Sequence, residues 1–357
     1  MTLDIPSYRL HNQLLSQPKW TQPEEIVEWL GAVQSQDYAG AKWALAQRLK
    51  DSPTDATIEK AFNEGKILRT HVLRPTWHFV TPTDIRWMLD LTAPRVKTAM
   101  AHVDRQLGLD KSILKKSNTA LSKALQGNRH LTRSELAPIL ERAGVSVDNY
   151  SMGQLMLRAE LDQVVCSGSR KGKQFTYALL GERAPQAKSL EREEALAELA
   201  QRYFRSHGPA TLQDFVWWSG LTINDARKGI EFIKSQLMCE MSNNQNYWFV
   251  NAPSESKPFR RAHLLPNYDE YMVGYTDRTS IFDVAYKDQL DSRGNILFQY
   301  AIMVDGLVAG AWKRTIKRKE VVIELSPFMT LTNAQHQAVI TAAQEYGKFL
   351  ELPVVLV

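Results

Sequence analysis

Three stretches of the chain repeat one order of hydrophobic and polar patterns. Each opens on a Thr-x-x-acid box, where the threonine accepts from the third backbone N–H and the acid reaches back to the cap. One or two short amphipathic helices follow, then two β-rich segments joined by a polar turn. The third stretch is the clearest. Ala195, Leu196, Leu199 and Tyr203 recur at helical spacing in 191–206, and His207-Gly208-Pro209 stops that helix. Thr211-x-x-Asp214 starts a second helix that runs through Trp217 and Trp218 to Gly220. Thr222 caps a third over 223–235, and LMCEM and NYWFV flank 242–246 as a hairpin. Helix, helix-turn-helix, hairpin is the order of a winged helix.

The second stretch has the same grammar. A helix over 113–126 stops at Gly127-Asn128, Thr132-x-x-Glu135 opens a helix to Arg142, and 150–162 gives the next. DQVVCSG and KQFTYALL are its strands, joined through Ser169-Arg170-Lys171-Gly172 as a cationic wing tip. In the first stretch Thr21-x-x-Glu24 caps a helix with Ile26, Val27, Leu30 and Val33 on one face. An inserted helix over 39–50 and another over 54–64 precede the strands ILRTHVL and PTWHFV, with Arg74-Pro75 at the turn. Residues 257–357 break the pattern. LLPNYDEYMVGY, ILFQYAIMVDGLVAGAWKRTIKRKE and VVIELSPFM read as strands, with Asp305-Gly306 a hairpin turn. A helix over 332–349 and a terminal strand VVLV follow. The expected fold is α+β: winged-helix units at 1–112, 113–186 and 187–256, then a strand-rich α+β domain at 257–357.

Composition changes this picture little. The 357 residues hold enough apolar sequence for several cores, with 44% hydrophobic and 23% charged. No run approaches the ~18 apolar residues of a membrane span, and MTLDIPSYRL lacks the apolar region of a signal peptide. Cys166 and Cys239 are isolated, with neither disulfide nor zinc spacing, which fits a reducing, cytoplasmic setting. The 44 Lys+Arg against 39 Asp+Glu leave a net charge of +5, which permits an acidic partner without requiring one.

Candidate chemistry is sparse. There is no G-x-G-x-x-G, P-loop, H-E-x-x-H or nucleophile elbow, and the eight histidines are scattered. The expectation is therefore no nucleotide cofactor and no metal. Gln34 falls where the stripe of Ile26, Leu30 and Val33 calls for an apolar residue. Gln34 and Gln36 point the same way only if the helix ends before them, since i and i+2 diverge on a helix and align in extended chain. The plainer alternative is a helix terminus with one satisfied buried amide. Arg69-Thr70-His71-Val72-Leu73-Arg74-Pro75-Thr76-Trp77-His78 packs two arginines and two histidines into a wing, so His71, Arg74 and His78 are candidates to meet DNA. Arg170, Lys171 and Lys173 are loop-borne with no acid in the run. Lys313, Arg314 and Lys317 belong to the densest basic run, whose alternative is a guarded strand edge.

Three motifs carry a resemblance over nearly the whole chain, in order. They are Gly31-Ala32-Val33-Gln34-Ser35-Gln36-Asp37-Tyr38-Ala39-Gly40-Ala41; Arg69-Thr70-His71-x-x-Arg74-Pro75-Thr76-Trp77-His78; and Leu264-Leu265-Pro266-x-Tyr268-Asp269-x-Tyr271-x-x-Gly274-Tyr275. Gly306-x-Val308-x-Gly310-x-Trp312-Lys313-Arg314 matches as well. Together they resemble the AlkZ-like family of bacterial winged-helix DNA glycosylases. The resemblance implies tandem winged helices around a concave, DNA-sized cleft. It also implies monofunctional excision of alkylated bases, in some members with unhooking of interstrand crosslinks. The family's Gln-apolar-Gln pair falls on Gln34 and Gln36, with Ser35 in the usually apolar middle position. The implied partner is duplex DNA with alkylated bases, bound by a monomer away from membranes. The competing reading is a non-enzymatic winged-helix regulator.

Overall fold

The structure, a computed structural model, describes residues 3–250, 262–290, 295 and 299–357. Two compact units divide the chain. One comprises Met1–Glu59, Ala197–Trp218 and Thr222–Val357, and the other Lys60–Leu196 and Ser219–Leu221. Both mix helices and strands. Among the described residues no helix is long and apolar enough to cross a membrane.

In the nearly continuous unit, helix Lys111–Leu125 starts where Asp110 accepts from the Ile113 N–H. The short strand Leu131–Thr132 and the helices Arg133–Arg142 and Asn149–Leu161 follow. Strands Val165–Ser167 and Thr176–Leu179 complete a three-stranded sheet with Thr176–Leu179 in the centre. Leu121, Leu125, Leu136, Leu140, Met156 and Val165 form the core beneath it. The Thr132–Glu135 box is present as the sequence predicts: the Thr132 N–H donates to Glu135 at 2.7 Å and the Glu135 N–H to Thr132 at 3.3 Å. The hairpin Leu68–His71 with Trp77–Val80 also matches, pairing Thr70 with His78.

One large element, the helix Ile85–Gln106, is not marked by the sequence pattern. Its first half is buried nearly all round, at Ile85, Trp87, Met88, Leu89, Leu91 and Ala93, so no amphipathic stripe marks it. Pro94 inside it removes a backbone donor and reads in sequence as a break.

In the discontinuous unit, the first box lies one residue later than Thr21-x-x-Glu24. Gln22 is the cap, and its N–H donates to Glu25 at 3.1 Å. Pro23 causes the shift, because proline lacks a donor and is pre-set for the first helical position. That helix, Pro23–Leu30, stops at Gly31 in a left-handed conformation (φ +83°), so Val33 is buried from a strand instead of from the helical stripe. Helices Leu212–Ser219 and Ile223–Ile233 lead to strands Met238–Ser242 and Gln245–Phe249. Asn243 and Asn244 both take positive φ, as a two-residue hairpin turn needs.

The last part of this unit is a five-stranded sheet. Its order is Val354–Leu356, Val321–Pro327, Leu307–Ile316, Ala301–Val304, Ala262–Leu265. All pairs are antiparallel except the first, and helix Asn333–Leu350 packs on the sheet. Asp305-Gly306 is the predicted turn, with φ of +52° and +84°. The expected strand LLPNYDEYMVGY ends at Leu265. Pro266 supplies no ladder donor, and Asp269 caps a short helix, Glu270–Val273, by accepting from the Tyr271 N–H at 2.9 Å. The expected boundary at 256/257 and the strand start at 296–298 lie outside the described residues.

Candidate active site

The helix before Gln34-Ser35-Gln36 ends at Leu30, and Val33–Gln34 is extended. The helix therefore ends before the pair, as their alignment requires, but the strand stops at Gln34 and Gln36 lies in a bend. Gln34 and Ser35 are buried and Gln36 is exposed. Two clamps hold the segment, one at each end.

The first clamp is Glu270. Its Oε1 accepts from the Gln34 backbone N–H at 2.7 Å, and its Oε2 accepts from the Trp218 indole N–H at 2.9 Å. His207 Nε2 lies 3.3 Å from that same Oε2. Glu270 is 1% exposed, and burial pushes the His207 imidazole below its usual range, against the pull of the Glu270 carboxylate. Asp269 next door takes two hydrogen bonds from Arg48, at 2.9 and 2.7 Å, inside the protein. Arg48 also donates to Gln13, whose amide donates to the Glu270 carbonyl and the Tyr275 hydroxyl. A buried carboxylate is tolerated when its oxygens are hydrogen-bonded and its charge is paired; Asp269 has both through Arg48, and both Glu270 oxygens are hydrogen-bonded.

The second clamp is Asp37. It caps helix Tyr38–Ala46 by accepting from the Gly40 N–H at 3.1 Å. Its other oxygen accepts from the Tyr300 hydroxyl and lies 3.8 Å from Arg314. Arg314 in turn donates to the hydroxyls of Tyr346 and Tyr300. Burial pushes the Tyr346 phenol up to about 12 and raises that of Tyr300. The Arg314 guanidinium is therefore held in a protein network behind the glutamine segment.

The histidines expected to meet DNA are withdrawn from solvent. His71 is buried with Nδ1 2.5 Å from Glu160, its backbone N–H on the same oxygen and its ring against Trp77. His78 is wholly buried against the Thr76 carbonyl; burial, with Arg74 second, holds it well below the usual histidine range. The hairpin is buried on both faces: His71, opposite Trp77, and His78, opposite Thr70, point to opposite sides and each is enclosed. Arg74 stays half-exposed at the turn. The 169–173 wing is less free of acids than its sequence: Lys171 pairs with Glu135 at 2.8 Å, which helps hold that carboxyl at about 2. Arg170 lies over Phe175 and donates to the Lys173 carbonyl, while Lys173 is exposed. Lys313 is exposed, and Lys317 is exposed and paired with Glu320.

Sequence reasoning missed Glu270, Asp269, Arg48 and His207. The available signal was two adjacent acids inside the apolar run LLPNYDEYMVGY, which require buried partners. Trp218 is fully buried and also donates its N–H into the site. Among the described residues no group of three or more His, Cys, Asp or Glu could hold a metal ion.

The AlkZ-like DNA glycosylase family model matches residues 27–349. Among solved structures, Streptomyces sahachiroi DNA glycosylase AlkZ superposes with a TM-score of 0.80 at 20% identity, covering 100% of both chains. No curated protein matches the sequence. The family match spans both clamps and both glutamines, and on it the chain belongs to the AlkZ-like family of DNA glycosylases.

Proposed function

We propose that the protein hydrolyses the N-glycosidic bond of alkylated, cationic purines in duplex DNA, with Gln34 and Gln36 as its catalytic pair, and that crosslinked purines are among its substrates. The observation that carries the reading is the extended Gln34 segment fastened by its own backbone N–H to a buried carboxylate. A side chain that must position water needs a backbone that does not move.

The chemistry suits a neutral pair. Alkylation at N7 or N3 leaves the purine positively charged, so it departs without a strong general acid. As the C1′–N9 bond breaks, its electrons return to the ring and cancel that charge. The sugar becomes oxocarbenium-like. A water adds to C1′ and gives its proton to solvent, leaving a hydroxylated, abasic sugar. The Gln36 carbonyl, at the exposed end of the segment, orients the water; that of Gln34 adds partial negative charge near C1′. Intact purines are poor leaving groups and are spared because no strong acid assists them.

On this reading the three repeated stretches are winged-helix units, followed along the chain by the α+β domain. Arg74, Arg170, Lys173 and Lys313 face phosphates, while Lys171 and Lys317 exchange weak surface pairs for them. The test is release of 7-methylguanine from duplex DNA, with crosslinked duplex in parallel. Gln34→Ala and Gln36→Ala should each slow excision at least about tenfold, the order lost with one transition-state hydrogen bond. Undiminished release by both variants overturns the assignment. DNA binding without any release by the wild type favours the non-enzymatic regulator.

A further inference from the structure

The positive charge of the chain is unevenly held. Residues 60–196 carry 22 lysines and arginines against 14 acids, and the remaining residues 22 against 25. The excess of the whole protein therefore lies in the Lys60–Leu196 unit. Within it, 111–134 holds six lysines and arginines and no acid. Helix Lys111–Leu125 presents most of them. Its apolar side, with Leu121, Ala124 and Leu125, packs inward. Lys111, Lys115, Lys116 and Lys123 are exposed, and none of their ammonium groups has a partner among the described residues. At 3.6 residues per turn the four fall within about 140° of one another, along about 18 Å of helix. The helix's other exposed residues are Ser112 and Thr119.

A merely solvated helix is not built this way. It gains from acids in its first turn, which offset the positive end of the helix dipole, and from acid–base pairs four residues apart. Here the first turn has no acid and begins with Lys111, and Lys111 and Lys115 are like charges four apart. Both departures disfavour the helix. An open groove of about 400 Å³ runs beside this face, with Lys111, Lys115, Thr119 and Ser122 on one side and Arg158 and Asp162 on the other. The acids here already have partners. Asp162 pairs with Lys97 at 2.5 Å and accepts from Asn118 at 2.8 Å, and Asp104 pairs with Arg158 at 3.2 Å. The Arg158 Nε–H is buried without an acceptor among the described residues. Lys111 and Lys115 are thus left uncompensated at the groove.

We propose that this face of helix Lys111–Leu125 is a contact for the DNA backbone, adding affinity that depends on neither sequence nor lesion. Its length of about 18 Å spans about five phosphates of one strand, at one per 3.4 Å. An anionic membrane suits it less, because an interfacial helix buries large apolar side chains and the exposed residues of this face include none. The proposal rests on the family's action on DNA and not on the chemistry assigned to the glutamines.

Anisotropy of an undamaged duplex, titrated with the full chain across a series of salt concentrations, tests it. The variant combines Lys111→Gln, Lys115→Gln, Lys116→Gln and Lys123→Gln; glutamine keeps the helix propensity of lysine, so the fold is retained. Each phosphate contact adds about 0.9 to the slope of log affinity against log salt, so the slope should flatten by at least about 2 and low-salt affinity fall at least about tenfold. A second variant with Lys50→Gln, Lys188→Gln, Lys287→Gln and Lys348→Gln carries the same net charge and should keep both. In the wild type, bound duplex should shield the four helix lysines from acetylation, read by mass spectrometry, which needs no substitution. An unchanged slope, an equal loss in the second variant, or lysines acetylated as fast with DNA as without would each overturn the proposal. Weakened binding to phosphatidylserine vesicles with DNA binding intact would overturn it too, and reassign the face to a membrane. The duplex carries no lesion, so failure of the glutamine assignment leaves this result standing.

Discussion

Replacing Glu270 by glutamine changes one atom and removes one acceptor. The carboxylate receives the Gln34 N–H on one oxygen at 2.7 Å and the Trp218 N–H on the other at 2.9 Å. An amide of the same shape accepts on one side and donates on the other. If its oxygen faces Trp218, its NH2 confronts the Gln34 N–H. Turned over, it confronts the Trp218 N–H and frees the indole. Either orientation leaves one buried donor unsatisfied, at a cost of about 1–3 kcal/mol. In the first orientation the loss falls on Gln34. Local opening then becomes about 5- to 150-fold more frequent. Hydrogen exchange followed by mass spectrometry on a peptide spanning 31–37 reads this directly. Glu270→Gln should lose protection there by that factor, and 7-methylguanine release should slow with it. Unchanged protection together with unchanged release would refute the claim that Glu270 holds the segment.

Two further outcomes follow from burial. Cys166 is fully buried, with its thiol pushed up to about 12, whereas Cys239 is exposed; titration with a thiol reagent at pH 8 should give one fast equivalent from Cys239 and a second only on unfolding. His78 and His207 are buried with lowered proton affinity, so below about pH 6.5 the unfolded chain binds protons that the folded chain does not. Stability should fall on acidification by up to about 1.4 kcal/mol per pH unit per histidine, and His78→Asn, which keeps a donor for the Thr76 carbonyl, should flatten the acid limb of melting midpoints.

Local elements were legible where caps and stripes agree. Thr132–Glu135, Thr222 and the Asp305-Gly306 turn stand where the sequence puts them, because each is decided within four residues. The helix Ile85–Gln106 was not legible, since burial around its first half erases the stripe and Pro94 mimics an end. The glutamines could be singled out because an amide interrupts an apolar face. Their support could not: Gln34 and Glu270 are separated by 236 positions, and nothing local in either segment encodes the other. The wing histidines misled for the opposite reason. Side-chain type suggested phosphate contact, but both faces of the hairpin are covered, so His71 on one face and His78 on the other are both enclosed.

The two units also differ in when a growing chain can complete them. Lys60–Leu196 is nearly one continuous piece, so most of that unit can close while later residues are still being synthesised. The other unit draws on three separated segments, and the carboxylate that fastens Gln34 emerges only with residue 270. Until then the Gln34 N–H, the Trp218 indole and Arg48 lack acceptors the finished protein gives them. The glutamine pair is thus among the last parts of the molecule to become ordered, and a chain truncated before Glu270 would carry both glutamines without the clamp that holds them.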